Sequence, residues 1–519
     1  MYWCKIATTE KEFEGIAALN YETFVEEIPQ YEPNKTKRKV DRFHEENQYI
    51  VVYKETEIVG MLAFRDKRPF SLDEKIGNVE RYLEEADCGK LAEIRLLAVK
   101  MPYRTGRVFF RLIQAVYAFA YHRGYTAAVI SGTTREQKLY KQMGFVPFAE
   151  AVGTEEAKFV PMILTKNKFE QALEKRISKG NHFTFYPGPV KQNVPLSHTN
   201  LSHRSSEFMD IYTRMKQQLL KISGANHIST VVGSGTLAND IMLGQLKVNC
   251  EKKGLILVNG EFGERLVEQA RSWDLPFEQI SWEWGMAYET EVTERYLASG
   301  EIEWLLMVHG ETSTGTLNAI EPILEITKRN HVKLCVDCIS SFGAMPFSMN
   351  ELYMATAVSG KAIGAMSGLS FIFSQQLAKE AKLPSYLNLA KYQHSKPPFT
   401  VPATLVANML EALKEYPQRY RLLEQRFMEL QNLGIVEKYG IPTNNYPMIV
   451  TLQLPNELNG LHKDLKLNGI LLHADSAYLR ERGLMQLSTI QPDFEEAFKQ
   501  LKEILGYYLS VMEDARVNS

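Results

Sequence analysis

The chain has 519 residues, 45% of them hydrophobic and 24% charged, the balance of a soluble globular protein and too much length for one ordinary core. Sixty basic residues face 62 acidic ones, which gives no reason to expect a nucleic-acid partner. The N-terminal stretch has no apolar run of signal-peptide length, and no later stretch approaches the ~18–20 apolar residues of a membrane span, so no membrane association is expected. Five cysteines without CxxC spacing read as reduced thiols in a cytoplasmic protein, with no metal site.

Residues 1–165 read as mixed α and β. "QYIVVYKETEIVGMLAF" (48–64) holds two β-rich runs about a polar turn, the pattern of a hairpin. "LAEIRLLAV" (91–99) is a further strand, and "RVFFRLIQAVYAFAYHRGY" (107–125) a helix ending at Gly124. "AAVISG" (127–132) is a strand, and "TREQKLYKQMGF" (134–145) a short helix stopped by Gly144. A connecting helix is expected over 166–181, where Phe169, Leu173 and Ile177 fall at i, i+4 and i+8 with charges between them. A cut within it should leave two soluble pieces. From residue 182 onward apolar strands alternate with helices: "GLILVNG" (254–260), "WLLMVHG" (304–310), "VKLCVDC" (332–338) and the two runs of "ATAVSGKAIGAMSGLSFIFS" (355–374). Strands this apolar imply an α/β domain whose largely parallel sheet is covered on both faces.

In such a sheet ligands collect outside the carboxyl ends of the strands. Three features fall there. Gly233, Ser234, Gly235 and Thr236 open a helix with bare amides, hydroxyls and a positive dipole end, which suits a phosphate, although such a start can be only a turn. Asp337 ends an apolar run, where a carboxylate wants a cationic partner; a helix cap or a buried salt bridge would serve equally. Lys361 stands in a turn walled by glycine, alanine and serine, and could be a solvated loop lysine. One ligand satisfies all three: pyridoxal phosphate, with a phosphate for the helix start, an aldehyde for the lysine and a ring nitrogen for the carboxylate.

Residues 183–510 resemble the class V branch of fold-type-I aminotransferases, in particular the 2-aminoethylphosphonate–pyruvate and alanine–glyoxylate enzymes. The blocks that carry this are "YPGPV", "SHRSSEF", "GSGTLAN", "VNGEFGER", "MVHGETSTGTLNAI", "VDCISSFGAMP", "SGKAIG" and "PFTVPATL", in that order. The resemblance implies a large pyridoxal-phosphate domain over 182–400 and a small C-terminal α/β domain over 401–519. Lys361 would carry the cofactor and Asp337 would face its ring nitrogen. Ser234, Gly235 and Thr236 would hold the phosphate, Phe262 would stack on the ring, and Thr312 would lie beside the phenolic oxygen. Thr400 would reach the phosphate of a second subunit, so a homodimer is implied, working on a small amino donor and a keto acceptor. Two positions depart from the pattern. Gln486, in "GLMQLSTI" (483–490), stands where these families carry an arginine that clamps the substrate carboxylate, so Arg480, Arg482 or Arg204 would have to supply the charge, or the substrate lacks that carboxylate. Gly360 stands where a side chain often helps hold the phosphate.

Residues 10–160 resemble GCN5-related N-acetyltransferases, in the subgroup of N-acyl amino acid and autoinducer synthases. "KLYKQMGFVPF" (138–148), "AEIRLLAVKMPYR" (92–104), "YETFVEEIPQY" (21–31) and "KVDRFHEENQYIVV" (39–52) carry the likeness. It implies Tyr140 as the acid that protonates the leaving thiolate. Glu93 and Arg95 share one strand face by alternation and either position the amine, with Glu93 as the candidate base for its proton, or form a structural ion pair. The donor loop "YRTGRVFF" (103–110) has one glycine followed by valine and phenylalanine, so the acyl thioester is expected on a carrier protein or on coenzyme A. The leading expectation is a bifunctional enzyme in which a transaminase is joined to an N-acyltransferase. A pyridoxal-phosphate lyase or decarboxylase, and a catalytically silent N-terminal binding or dimerisation module, are the alternatives.

Overall fold

The computed structural model describes residues 1–28, 30–83, 89–121, 123–153, 158–177, 183–192, 201–393, 396–441, 446–458 and 460–517. The chain forms two compact units: residues 1–183, 456–471 and 496–519 in the first, 184–455 and 472–495 in the second.

The first unit is built on a seven-stranded sheet of β1 (Tyr2–Ile6), β2 (Gln48–Lys54), β3 (Glu57–Arg65), β4 (Leu91–Val99), β5 (Ala127–Thr133), β6 (Val146–Pro147) and β7 (Phe159–Thr165), in the order β1-β2-β3-β4-β5-β7-β6. The expected 48–64 hairpin is the antiparallel β2–β3 pair. Helix α1 (Glu10–Tyr21) starts in a capping box, in which Thr9 accepts from the Glu12 N–H while the Glu12 carboxylate accepts from the Thr9 N–H. Helix α2 (Arg107–Tyr121) buries Val108, Leu112, Ala115 and Phe119, a stripe at helical spacing, against β2 and β3.

Only β4 and β5 run parallel in this sheet, and their pairing stops at Glu93↔Val129. Beyond it Leu96 takes a left-handed backbone (φ 53°) and the β3–β4 register shifts between Met61 and Ala63, a bulge that turns β4 away from β5. The two strands part like a V.

Helix α3 (Gln137–Gln142) follows β5, and α4 (Lys166–Ile177) follows β7. In α4, Phe169 is buried and stacks on Tyr117 at 4.5 Å between ring centroids. The Leu173 and Ile177 side chains and residues 178–182 lie outside the described residues.

The small domain expected over 401–519 is discontinuous, because 456–471 and 496–519 belong to the first unit. Side chains tie them there. The Cys4 N–H donates to Asn468 Oδ1 at 2.7 Å, and Asn468 Nδ2 donates to the Cys4 carbonyl at 2.7 Å. Asp464 accepts from the Ile6 N–H at 3.0 Å and from the Tyr508 hydroxyl. Tyr507 donates to Glu12, whose carboxylate also pairs with Lys5 at 2.8 Å. Asn468 thus satisfies one edge of β1 as a neighbouring strand would. A piece ending within 166–181 would lack these partners, so a cut there does not yield the first unit whole.

The second unit centres on β8 (His227–Val232), β9 (Lys253–Val258), β10 (Phe277–Ser281), β11 (Ile302–Val308), β12 (Lys333–Asp337), β13 (Met354–Val358) and β14 (Leu369–Ser374), in the order β10-β9-β11-β12-β13-β14-β8. The pairs from β10 through to β13 are parallel, while β14 is antiparallel to both neighbours. The expected parallel sheet is present with one reversed strand. Buried residues pack on both faces, Leu255, Leu305 and Leu334 on one and Ile256, Trp304 and Cys335 on the other, which is why these strands read as continuous apolar runs. A two-stranded ladder of β15 (Ile449–Gln453) and β16 (Leu484–Ser488) pairs Thr451 with Gln486. Among the described residues no helix is long and apolar enough to cross a membrane, and no His, Cys, Asp and Glu cluster could hold a metal.

Asn468→Ala should leave the buried Cys4 N–H and carbonyl without partners, at about 1–3 kcal/mol each. The unfolding free energy read from urea denaturation is expected to fall by a corresponding ~2–6 kcal/mol; an unchanged value would mean that water replaces the amide at no cost.

Candidate active site

Asp337 is the last residue of β12 and is buried. Its Oδ2 accepts from Asn239 Nδ2 at 2.8 Å and its Oδ1 from the Ile339 N–H at 2.9 Å. Asn239 is in turn held by the Thr356 hydroxyl, which donates to its Oδ1 at 2.8 Å. Burial raises the Asp337 carboxyl above its ordinary value, while these donors and the charges of Lys361 and Arg265 pull it down. The carboxylate is fixed in place and has no ion-pair contact among the described residues.

Lys361 follows β13, half-buried, with Nζ 5.3 Å from the centroid of the Phe262 ring. Burial lowers its pKa, opposed by Asp337 and Glu311, so the free amine is more accessible than that of a surface lysine. Helix α5 (Gly235–Asn249) begins beside them. Ser234 is its N-cap residue yet makes no capping bond with its side chain, and a Cβ on Gly235 would lie 2.5 Å from Ile339 Cδ1. Glycine is required there, and it leaves the helix start open to an anion. Gly360 is required as well: a Cβ would lie 2.1 Å from Ser367 Oγ and 2.7 Å from Ser367 Cα. Ser367 fills the space that a side chain at 360 would take.

Several residues near this centre escaped the sequence reading. Asn239 lies one helical turn beyond Gly235, a spacing that places it on the same face. Glu311 is buried, accepting from the Phe262 and Gly263 N–H groups at 3.1 Å and from the Ser313 N–H and hydroxyl; burial pushes its carboxyl up to about 7. Arg265, on helix α6 (Glu261–Ser272), lies against Phe262 at 4.8 Å, and its charge reaches Asp337 and Lys361.

The other expected residues are placed unevenly. Thr312 is buried, and its carbonyl accepts from Gln486. Thr400 is exposed ahead of the helix Ala403–Lys414. Arg204 and Arg480 are exposed, and Arg482 lies over the Trp284 ring at 3.8 Å; no hydrogen bond or ion pair brings these three to Lys361. Gln486 is buried, with Nε2 donating to the Thr312 carbonyl at 2.7 Å, the Ser313 carbonyl at 3.1 Å and Thr451 Oγ1 at 3.1 Å, and Oε1 facing His473 Nδ1 at 2.9 Å. Both ends of this amide are engaged, so the substrate contact expected of Gln486 is not open to it.

The residues fit pyridoxal phosphate. An amine, a buried carboxylate, an aromatic ring and an uncapped helix start meet at the ends of adjacent strands.

In the first unit Tyr140 rises from α3 against β5, where a Cβ on Gly132 would lie 3.1 Å from its ring. Burial raises its phenol, with Thr133 beside the hydroxyl, so it keeps its proton at neutral pH. Glu93, at the point where β4 and β5 part, is buried. Its oxygens accept from the Ser71 N–H at 2.8 Å, the Ser71 hydroxyl at 2.6 Å and the Leu72 N–H at 3.1 Å. Arg95 forks onto Asp41 at 2.8 and 3.2 Å and stands 3.6 Å from Glu93. The structural ion pair is therefore what the geometry shows, and Glu93 orients the turn at 71–72. In the donor loop, Val108 is buried in the core.

Gly360→Ala should lower stability by about 1–3 kcal/mol through overpacking against Ser367, read as a lower melting temperature. An unchanged melting temperature would show that Ser367 moves freely.

Comparison with known proteins places both units in known families. Residues 15–166 match the family described as N-acyl amino acid synthase FeeM, and residues 191–388 match aminotransferase class-V. A 2-aminoethylphosphonate–pyruvate transaminase of Pseudomonas aeruginosa is 32% identical over 276 residues, 49% of this chain and 74% of the relative. One of Pseudomonas putida is 28% identical over 55% of this chain and 86% of its own length. Among solved structures, a Thermus thermophilus aspartate aminotransferase of subgroup IV (21% identity, TM-score 0.56) covers 63% of this chain and 99% of its own. An alanine–glyoxylate aminotransferase from Nostoc (22% identity, TM-score 0.56) covers 63% and 95%; both share the fold. The chain belongs to the class-V, pyridoxal-phosphate-dependent aminotransferases and joins to that domain an N-terminal domain of the N-acyl amino acid synthase type.

Proposed function

We propose that the second unit transfers an amino group between a small amine and a small keto compound through Lys361 and Asp337, and that the first acylates an amine in the cleft between β4 and β5. The observation that carries the first part is the meeting of Lys361, Asp337, Phe262 and the open start of α5 at the strand ends. Pyridoxal phosphate, when bound, supplies an electron sink that labilises the bonds of the substrate carbon bearing nitrogen. The chain's residues do the rest. Asp337 keeps a proton on the ring nitrogen, and Asn239 with Thr356 keeps Asp337 aimed. The Ser234–Thr236 helix start takes the phosphate, and Phe262 covers the ring face. Lys361 would hold the cofactor by its aldehyde, and its amine would move a proton at that substrate carbon, a task that its lowered pKa favours. Thr312 would lie beside the phenolic oxygen, and Thr400 would serve the phosphate of a second subunit in a homodimer.

For the first unit the supporting observation is the parting of β4 and β5 beside Tyr140. A thioester carbonyl lying between the strands meets unpaired backbone N–H groups, and Tyr140 protonates the departing sulfur. The donor is an acyl group on coenzyme A or on an acyl carrier protein, since the loop at 103–110 has a single glycine for close backbone approach. Buried thiols at Cys4, Cys335 and Cys338 suit a cytoplasmic setting. A lyase or decarboxylase outcome on the same cofactor is the second reading. One observation favours it: Gln486 supplies no charge for an α-carboxylate.

Lys361→Ala should fold yet lose the visible absorbance that borohydride bleaches in the parent, with amino transfer down about 10²–10⁴-fold. A reducible absorbance retained in that variant would remove Lys361 from its role, and undiminished turnover by Asp337→Ala would do the same for the carboxylate. Tyr140→Phe in the full chain should slow acyl transfer about 10²-fold at nearly constant KM. A full chain that consumes no thioester from a broad panel would leave the first unit a binding module.

A further inference from the structure

Gln486 and His473 face each other across a strand bridge, each backbone N–H donating to the other's carbonyl, at 2.9 and 3.2 Å. Which way the Gln486 amide points is fixed by chemistry. One end meets the carbonyls of Thr312 and Ser313, which only accept. It also meets Thr451 Oγ1, whose own proton is engaged on the Thr314 carbonyl at 2.8 Å. Three acceptors surround that end, so it is the NH₂. The other end is then the carbonyl, and it lies 2.9 Å from His473 Nδ1. Two lone pairs cannot face each other at that distance, so Nδ1 carries the proton. Nε2 is left as a bare acceptor, with no hydrogen-bond partner among the described residues.

The imidazole is half-buried between the Tyr186 ring at 6.1 Å and the Tyr478 ring at 6.2 Å. The charged groups acting on it are Lys361, close enough to weaken its basicity, and Asp475, which opposes this; burial is the larger influence and keeps the ring neutral.

We propose that His473 Nε2 is the specificity-determining contact of the amino-transfer site and selects substrates whose far end donates a hydrogen bond, a hydroxyl or an ammonium, over those ending in a carboxylate or phosphonate. This rests on the amino-transfer reading. A neutral acceptor repels an anionic oxygen unless it first takes up a proton, which burial and Lys361 disfavour. Gln486 is a positioning residue here, acting through the tautomer that it imposes.

Two measurements decide the matter. On the full chain labelled with ¹⁵N-histidine and free of cofactor, His473 should appear as the neutral Nδ1–H tautomer at pH 7, and Gln486→Leu should shift it toward Nε2–H. An Nε2–H or cationic ring in the parent overturns the inference whatever the enzyme's activity. On the holoenzyme, ethanolamine, ethylenediamine, β-alanine and 2-aminoethylphosphonate serve as amino donors sharing a two-carbon spacer. The first two should exceed the last two at least tenfold in kcat/KM. His473→Phe should shrink that ratio to about threefold or less, mainly through KM, and His473→Asn, which can both donate and accept, should partly restore the acids. Acids preferred by the parent, or a ratio unmoved in His473→Phe, overturn it. Failure of the amino-transfer reading itself would show differently: no donor would yield its aldehyde, while the tautomer would stand as found.

Discussion

Asp337 closes the end of β12 with one oxygen on the Ile339 N–H and the other on the Asn239 amide, and it is buried. Hydrogen bonds to a charged group contribute about 1.5–3 kcal/mol each, whereas taking a carboxylate out of water costs several kcal/mol even after relaxation. Two donors and the more distant charges of Lys361 and Arg265 leave that balance unfavourable, and the carboxyl is pushed upward. A protonated ring nitrogen is the kind of partner that restores it. The geometry of the second unit follows from this: Thr356 on β13 holds Asn239, Asn239 on α5 holds Asp337, and the helix that supplies Asn239 also supplies the open anion site at its start.

The strands that carry this site were legible because they are buried on both faces. An apolar run such as "WLLMV" needs no alternation to be read, and its end is marked by the first polar residue or glycine. Lys361, Asp337 and the Ser234 turn were legible for the same reason, as chemistry placed where apolar runs stop. What periodicity could not give was the reversal of β14 or the allegiance of 456–471 and 496–519 to the first unit. The second depends on partners hundreds of residues away, such as Asn468 with Cys4, and the first on antiparallel pairing with both β13 and the more distant β8.

In the first unit a local irregularity shapes the middle of the sheet. Leu96 with its left-handed backbone, and the register shift that follows, turn β4 from β5 past Glu93, so two parallel strands expose their facing edges where a regular sheet would pair them. Nothing in "LAEIRLLAV" marks that bulge, because leucine carries no preference for the conformation. The tyrosine beside the cleft was legible only as a resemblance.

Glu93 and Gln486 share a trait that the sequence does not show, and the reason is physical. Alternation and alignment told which face each side chain points to, and both point inward. Neither tells how many hydrogen bonds a group has already made. Glu93 accepts three from the turn at 71–72, and Gln486 engages two carbonyls, a hydroxyl and an imidazole. A polar group with all its donors and acceptors occupied is poorly suited to receive a substrate, yet it can fix the proton, tautomer or turn of the group that does. Where such a group has a neighbour with a free acceptor, that neighbour is the better candidate for a substrate contact. Beside Gln486 that neighbour is His473, which meets it in an isolated bridge 13 residues away, a pairing that carried no signal in the sequence.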